Sequence, residues 1–193
     1  LPLYENIADT SAVQKLLLAQ PHVREVQPRI ITGVTVTVGE EIGDVLAPVI
    51  GGSLDYFRDK LAAKDKLLAG RFFSGADDEV IAGAKLVEEL GAKLGDELVM
   101  LGMTQDGSLS SIKAKLVGIV NMGGGRLDQQ AFVPLSRLQY LTDIPEGATE
   151  LLVYAERFED AVELAGQLSA LPALKDYDVR AWSQREPWKT ITG

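Results

Sequence analysis

The chain has 193 residues, of which 46% are hydrophobic, with 28 acidic against 19 basic side chains and a formal charge of -9. Such a composition excludes a disordered segment and gives enough apolar material for one ordinary domain or two small ones sharing a core. The lysines and arginines are scattered among the more numerous acids, so the basic stripe that a nucleic-acid backbone requires is missing and nucleic acid is excluded as a partner.

No apolar run approaches the roughly 18 to 20 residues that cross a bilayer, and no signal-peptide core lies near Leu1. The chain starts at Leu1 and stops at Ile191-Thr192-Gly193, and is expected to be an excised portion of something larger. With no cysteine in the sequence, disulfides and thiolate chemistry are excluded.

In chain order, Ser11 and Gln14 fit a capping box, and Val13, Leu16 and Leu17 follow at helical spacing until Pro21. The segment from Val23 to Ile31 contains Pro28 and reads as an extended edge. Val34 and Val36, interleaved with Thr35 and Thr37, continue in strand alternation. The spacing of Phe57, Leu61, Lys64 and Leu68 predicts a helix from Tyr56 to Leu68, closed by Gly70. Val80-Ile81 is too short an apolar run to assign. Ala84, Leu86, Val87 and Leu90 predict a short helix stopped at Gly91, and Gly95-Asp96 a turn into the strand Glu97 to Leu101.

Asp106-Gly107 between two extended runs is the strongest hairpin signal in the chain, and the alternation of Lys113 and Lys115 with Ile112, Ala114 and Leu116 predicts a return strand with one wet face. An apolar strand from Val117 then runs into Gly123-Gly124-Gly125, Asp128 and a second buried segment through Val133-Pro134-Leu135 to Leu141, a region broken by Pro134 and Pro145. A strand from Glu150 to Tyr154 is followed by a helix from Phe158 to Leu168 with Phe158, Ala161, Val162, Ala165 and Leu168 on one face. After Pro172 a strand resumes from Tyr177 to Trp182, with Trp188 beyond it.

The two ends therefore share strand and helix units, while the middle is rich in strands. The expected fold is α/β in the α+β sense, with one discontinuous subdomain from residues 1–32 and 148–193 and a β-rich mixed subdomain, residues 33–147, inserted into it.

The chemistry-bearing residues favour bland roles. His22 is the single histidine and has no cysteine partners, which is poor material for a zinc site or a triad. There is no Gly-x-Ser-x-Gly elbow. Asp77-Asp78-Glu79 lacks the ligand spacing and central glycine of a calcium loop, and reads as solvated acids. Gly123-Gly124-Gly125 invites a phosphate-loop reading, but Arg126-Leu127-Asp128 stands where Lys-Ser or Lys-Thr is required, so a flexible or close-packed crossing is expected instead of an anion nest. Phe72 and Phe73, with Tyr56 and Phe57, read as core. No catalytic, cofactor or metal residue is assigned.

The order of several segments resembles the extracytoplasmic core domain of MacB-like and lipoprotein-releasing ABC transporter permeases, in the wider FtsX-like family. The segments are Val26-Gln27-Pro28-Arg29-Ile30, Leu68-Ala69-Gly70-Arg71-Phe72-Phe73, Glu79 to Leu86, Leu90 to Leu98, Val117 to Gly125, Asp128, Val133-Pro134-Leu135, Leu138-Gln139 and Val179-Arg180-Ala181-Trp182. Their shared order spans nearly the whole chain. The resemblance implies a porter-like subdomain at the two ends and an inserted mixed subdomain, outside the cytoplasmic membrane between the first two helices of a permease. It implies no active site, since ATP is hydrolysed by a separate cytoplasmic domain or subunit.

The implied partners are a sister permease domain or a second copy, and a cytoplasmic ATPase reached through the parent's membrane helices. The implied cargo is a lipoprotein, peptide or drug. A membrane helix before Leu1 and three after Gly193 are then expected. Under this reading Gly95 and Asp96 shape the turn into the inserted sheet, Gly123, Gly124, Gly125 and Asp128 shape the crossing before Pro134, and Phe72 and Phe73 pack a core or a subdomain seam. A free-standing extracellular binding module is the alternative, and a hydrolase built on the acidic cluster is a weaker one.

Overall fold

In the computed structural model, residues 3–39 and 44–184 are described, and they divide into two compact units. The first comprises Leu1–Thr10 with Gln27–Leu151, and the second Ser11–Val26 with Leu152–Gly193. The elements, in order, are α1 (Thr10–Leu18), β1 (Val23–Val38), β2 (Val45–Gly52), β3 (Leu67–Gly70), β4 (Glu79–Gly83), α2 (Ala84–Leu90), β5 (Glu97–Met103), β6 (Leu109–Val120), β7 (Ala131–Pro134), α3 (Leu135–Thr142), β8 (Glu150–Ala155) and α4 (Ala161–Ser169). The fold is the mixed α/β arrangement that the sequence predicts.

In the first unit the sheet closes on itself. Its order runs β2-β7-β4-β6-β5-β1, and β1 pairs back onto β2 from Arg29↔Gly52 to Val36↔Val45. Closure leaves none of these six strands as a bare edge along its paired length, the main aggregation hazard of an open sheet. The hairpin at Asp106-Gly107 sets the register of β5 on β6, Glu97↔Lys115 through Met103↔Leu109. Beyond that stretch β6 takes β3 on the side that β5 vacates, with Leu67↔Val120 and Gly70↔Gly118.

Alternation along these strands sends Val34, Val36, Leu98, Met100, Ile112, Ala114 and Leu116 inward, where they join Leu86 of α2 and Leu138 and Leu141 of α3 in one apolar cluster. Each large side chain of this kind, fully buried, contributes about 1.5 to 3 kcal/mol. Lys113 and Lys115 stay exposed, and the alternation breaks after Leu116, where Val117 and Gly118 are both buried and the ladder to β4 shifts register from Val80↔Leu116 to Ile81↔Gly118.

Several expectations are corrected. No helix spans Tyr56 to Leu68: a single wide turn at Tyr56–Lys60 is followed by strand β3, and Gly70 closes that strand. The weak helical spacing, which counted Lys64 as a core position, yields to the pairing of Leu67–Gly70 with β6. Ser11 does not cap α1, which already includes Thr10, and the Gln14 amide donates to the Val26 carbonyl at 3.3 Å instead of closing a capping box. Pro28 interrupts nothing, since β1 runs through it and the ladder with β2 begins one residue later at Arg29. α3 lies where the two prolines suggested a break, because Pro134 ends β7 and stands at the start of the helix.

In the second unit α4 carries Leu164, Ala165 and Leu168 inward, whereas Phe158 and Val162 are exposed, so the buried face is rotated from the expected one. Tyr177 to Ala181 form no strand. Ala181 is buried and Asp178 and Arg180 pair in solvent at 2.8 Å, so alternation survives without a ladder. Trp182 is exposed against Phe158, ring centroids 5.2 Å apart, and Trp188 lies outside the described residues. His22, also in this unit, is an exposed residue beside Glu156 at 3.3 Å.

Candidate functional site

The glycine crossing is the most organised loop of the first unit. β6 ends at Val120, and Gly123, Gly124 and Gly125 all take φ between 76° and 95°, the left-handed region that other residues avoid. These turns bring the Met122 and Gly124 amides toward one point, as an anion nest does, and no atom lies within 4 Å of a Cβ built on any of the three glycines, so the crossing is open rather than close-packed. The point is already occupied by the chain's own carboxylate. The Met122 amide donates to Asp128 Oδ1 at 2.6 Å and the Gly124 amide to Oδ2 at 2.7 Å, while the Gly123 amide donates to Asn121 Oδ1 at 2.9 Å. Asp128 is 4% exposed. The loop thus satisfies a buried acid with backbone donors, and the resulting structure is a turn rather than a ligand cradle.

Asp128 sits on a short 3₁₀ turn, Gly125–Gln129, which delivers the chain to β7. β7 inserts parallel to β2 and antiparallel to β4, with Gly52↔Pro134 at the far end. Pro134 therefore follows Asp128 along one continuous crossing. Gly95 and Asp96 hold a separate turn: the Gly95 amide donates to the Leu116 carbonyl at 2.8 Å, and Asp96 Oδ2 accepts the Lys93 amide at 2.8 Å, fixing the entry to β5.

Phe72 and Phe73 belong to an aromatic cluster within the first unit. Phe73 is buried and stands 5.5 Å from Phe57 and 5.3 Å from Phe72, and Phe57 meets Phe132 of β7 edge-on at 5.8 Å. Phe72 is half-buried. The structure joins these rings to the strand that ends at Pro134, but not to the Gly95 turn.

Two polar clusters escaped the sequence. The sequence pattern groups Glu79 with Asp77 and Asp78 as solvated acids, yet it is 4% exposed; its carboxylate takes the Arg71 guanidinium, the Ser74 amide at 2.7 Å and the Ser74 hydroxyl at 2.8 Å. Burial alone would raise its pKa, and the bonds from Arg71 and Ser74 outweigh that and hold it below the ordinary carboxylate value. The signal available was a lone acid opening an entirely buried strand, Glu79–Gly83.

The second cluster joins Arg29 to Glu150. Nη2 and Nε of Arg29 reach Glu150 Oε2 at 2.6 and 2.7 Å, and Nη1 donates to the Tyr56 hydroxyl at 2.9 Å. Burial alone would lower the Arg29 pKa, but the Glu150 charge and the Tyr56 hydroxyl raise it above its usual value. The partners are 121 positions apart in sequence, so no local pattern announces them.

Ser74 pairs a hydroxyl with the Glu79 carboxylate, but that carboxylate is already held by Arg71 and the Ser74 amide, and among the described residues no group of three His, Cys, Asp or Glu side chains is placed to hold a metal ion. Among them, too, no helix is long and apolar enough to cross a membrane.

Comparison with known proteins places this geometry. Residues 4–171 match the family described as the MacB-like periplasmic core domain. A comparison with curated protein sequences gave no match. Among solved structures, the extracellular domain of the ABC-type transporter YknZ from Gram-positive bacteria is similar at a TM-score of 0.57 and 17% identity, covering 82% of this chain and 81% of that one. The periplasmic region of MacB from Actinobacillus actinomycetemcomitans is similar at 0.55 and 16% identity, covering 82% of this chain and 72% of that one. At such identities the likeness shows the fold, and the family rests on the match over residues 4–171. The chain belongs to the MacB-like periplasmic core domain family, and is a non-catalytic extracytoplasmic domain of an ABC transporter permease.

Proposed function

We propose that the domain is a mechanical element that couples conformational change in its permease to substrate export or lipoprotein release. The observation that carries this reading is the division into two units joined by three continuous elements, the helix α1 and the strands β1 and β8, each with residues in both. Such elements transmit displacement without a flexible linker. In this reading the porter-like part, expected from the sequence over residues 1–32 and 148–193, is built on the second unit, and the inserted part, expected over residues 33–147, on the first. The crossing built by Gly123, Gly124, Gly125, Asp128 and Pro134, the turn at Gly95 and Asp96, and the rings of Phe72 and Phe73 keep the inserted part stiff.

Family architecture of this kind implies a paired permease and an ATPase. The partner of the domain is then a sister permease domain or a second copy, the ATPase acts from the cytoplasm through the parent's membrane helices, and the cargo is a lipoprotein, peptide or drug. The native chain has no cysteine, so single cysteines introduced at exposed Leu109 and Phe158 can be crosslinked without background from this domain in the intact transporter. A crosslinking pattern that changes between nucleotide-free and ATP-bound states is the expected outcome. A pattern indifferent to nucleotide, with transport intact, rules the mechanical role out.

A further inference from the structure

The geometry points to the Arg29, Tyr56 and Glu150 cluster as a clamp that stops strand separation from entering the barrel. β1 crosses from the second unit to the first between Val26 and Gln27, and β8 leaves the first unit between Leu151 and Leu152. Arg29 and Glu150 stand just inside these two crossings. A pull on the second unit reaches the barrel along these two strands and along α1, which crosses between Thr10 and Ser11; the clamp guards the two strand crossings.

The backbone at this point is held by the Thr149 amide donating to the Arg29 carbonyl at 3.1 Å and the Ile31 amide donating to Thr149 Oγ1 at 3.0 Å. Backbone bonds at the end of a strand pair peel one at a time, each at small net cost. The side-chain cluster resists in a different way. Arg29 and Glu150 are each 14% exposed in their side chains, so separating them strands two charges in a poorly solvated place.

The cluster is also anchored to a third strand. Gly52 of β2 is the register partner of Arg29, and a Cβ there would stand 2.7 Å from Tyr56 Cδ1. The missing side chain is what lets the buried Tyr56 ring lie over β2 and present its hydroxyl to Arg29. The Ser53 hydroxyl accepts the Tyr56 amide at 3.0 Å and donates to Gln27 Oε1 at 2.7 Å, fixing the same turn onto the first residue of β1 inside this unit. Glu150, Arg29 and Tyr56 thus bind β8, β1 and the end of β2 in one network.

At the second unit's end of the same strands the support is more exposed. The Glu156 amide donates to the His22 carbonyl at 2.9 Å, and the side-chain pair beside that bond, His22 with Glu156, is 59% exposed on both sides. Separation begins at that end and halts at the clamp, so the barrel keeps its register while the strand ends give.

The proposal depends on the mechanical reading only for its use in transport; crosslinking in the transporter tests that reading, whereas the clamp is tested on the 193-residue chain alone. Amide hydrogen exchange is followed by NMR in the native chain and in the Glu150→Gln, Tyr56→Phe and His22→Ala variants. Glu150→Gln is expected to speed exchange at Thr149 and Ile31 by about tenfold or more while amides of β5 and β6 keep their rates. Tyr56→Phe gives a smaller change at the same two amides, and His22→Ala speeds Glu156 without reaching Thr149. Acceleration of β5 and β6 by the same factor as Thr149, or unchanged exchange at Thr149 in both clamp variants, overturns the clamp.

Discussion

Gly83 lies so close to Asp128 that a Cβ at residue 83 would stand 2.4 Å from the Asp128 carbonyl oxygen. Residue 83 ends β4 and opens α2, and its amide donates to the Gln130 carbonyl at 2.9 Å. Its φ of -67° suits any residue, so Gly83→Ala gains about 0.4 to 1 kcal/mol from a stiffer unfolded chain. The clash is with backbone, which has no rotamer to retreat into, and overpacking of that kind costs about 1 to 3 kcal/mol or more. The clash wins, and urea unfolding is expected to show a net loss.

Asp128 itself answers two amides with different alternatives. Met122 is buried, so its amide has no solvent to turn to, whereas Gly124 is exposed and water can replace the lost acceptor. Asp128→Asn can keep one oxygen toward Met122 and is expected to cost about 1 to 2 kcal/mol; Asp128→Ala leaves the Met122 donor bare and costs about 2 to 4 kcal/mol. Gly124→Ala retains the amide and meets no atom within 4 Å, so only its φ of +88° is penalised, at about 1 kcal/mol. From least to most stable, the variants are expected in the order Asp128→Ala, Asp128→Asn, Gly124→Ala. That order, read from denaturant midpoints, separates the hydrogen bonds from the backbone conformation.

How far this site was legible depended on the range of the interaction behind each residue. Gly91 and Asp106-Gly107 act through neighbours a few positions away, and the helix stop and the hairpin followed from the local pattern alone. The Gly123 to Gly125 crossing was readable as backbone geometry, but the acid that fills it was placed there as a turn former, without its two amides. Leu67 and Leu68 read as the end of a helix, with Gly70 as its stop, because the strand partner from Gly118 to Val120 lies about fifty residues on and leaves no local trace. The same holds for Arg29 and Glu150. α3 was missed for a subtler reason: Pro134 breaks a helix when inside it, but here it precedes the first turn, where no amide is needed.

Glu79 makes the fold sensitive to acid. Its folded pKa lies below the ordinary carboxylate value, which is about 4.3 in an unfolded chain. The stabilisation from Arg71 and Ser74 is therefore fully present above that pH and is lost as pH falls through the lower folded value. Glu79→Gln removes this titration, so its denaturant midpoint is expected to fall less than that of the native chain between about pH 5 and the acid limit, although it starts lower at about pH 7. Equal slopes in the two proteins would show that other carboxylates carry the acid response.

Leu138 and Leu109 mark the extremes of core and surface in the same barrel. Leu138, on α3, is fully buried and touches the ideal Cβ position of Gly51 at 2.9 Å, so β2 gives up a side chain to admit it. Leu138→Ala leaves a cavity that a closed sheet cannot collapse to fill, and is expected to cost about 2 to 5 kcal/mol. Leu109, paired with Met103 beside the hairpin turn, is 73% exposed. Leu109→Ser removes little buried area and is expected to stay within about 0.5 kcal/mol of the native chain in thermal or denaturant unfolding. The same variant belongs in the intact permease as well: loss of transport at full stability marks the outer face around Leu109 as a contact made by the assembled transporter, while unchanged transport leaves it as plain solvated surface.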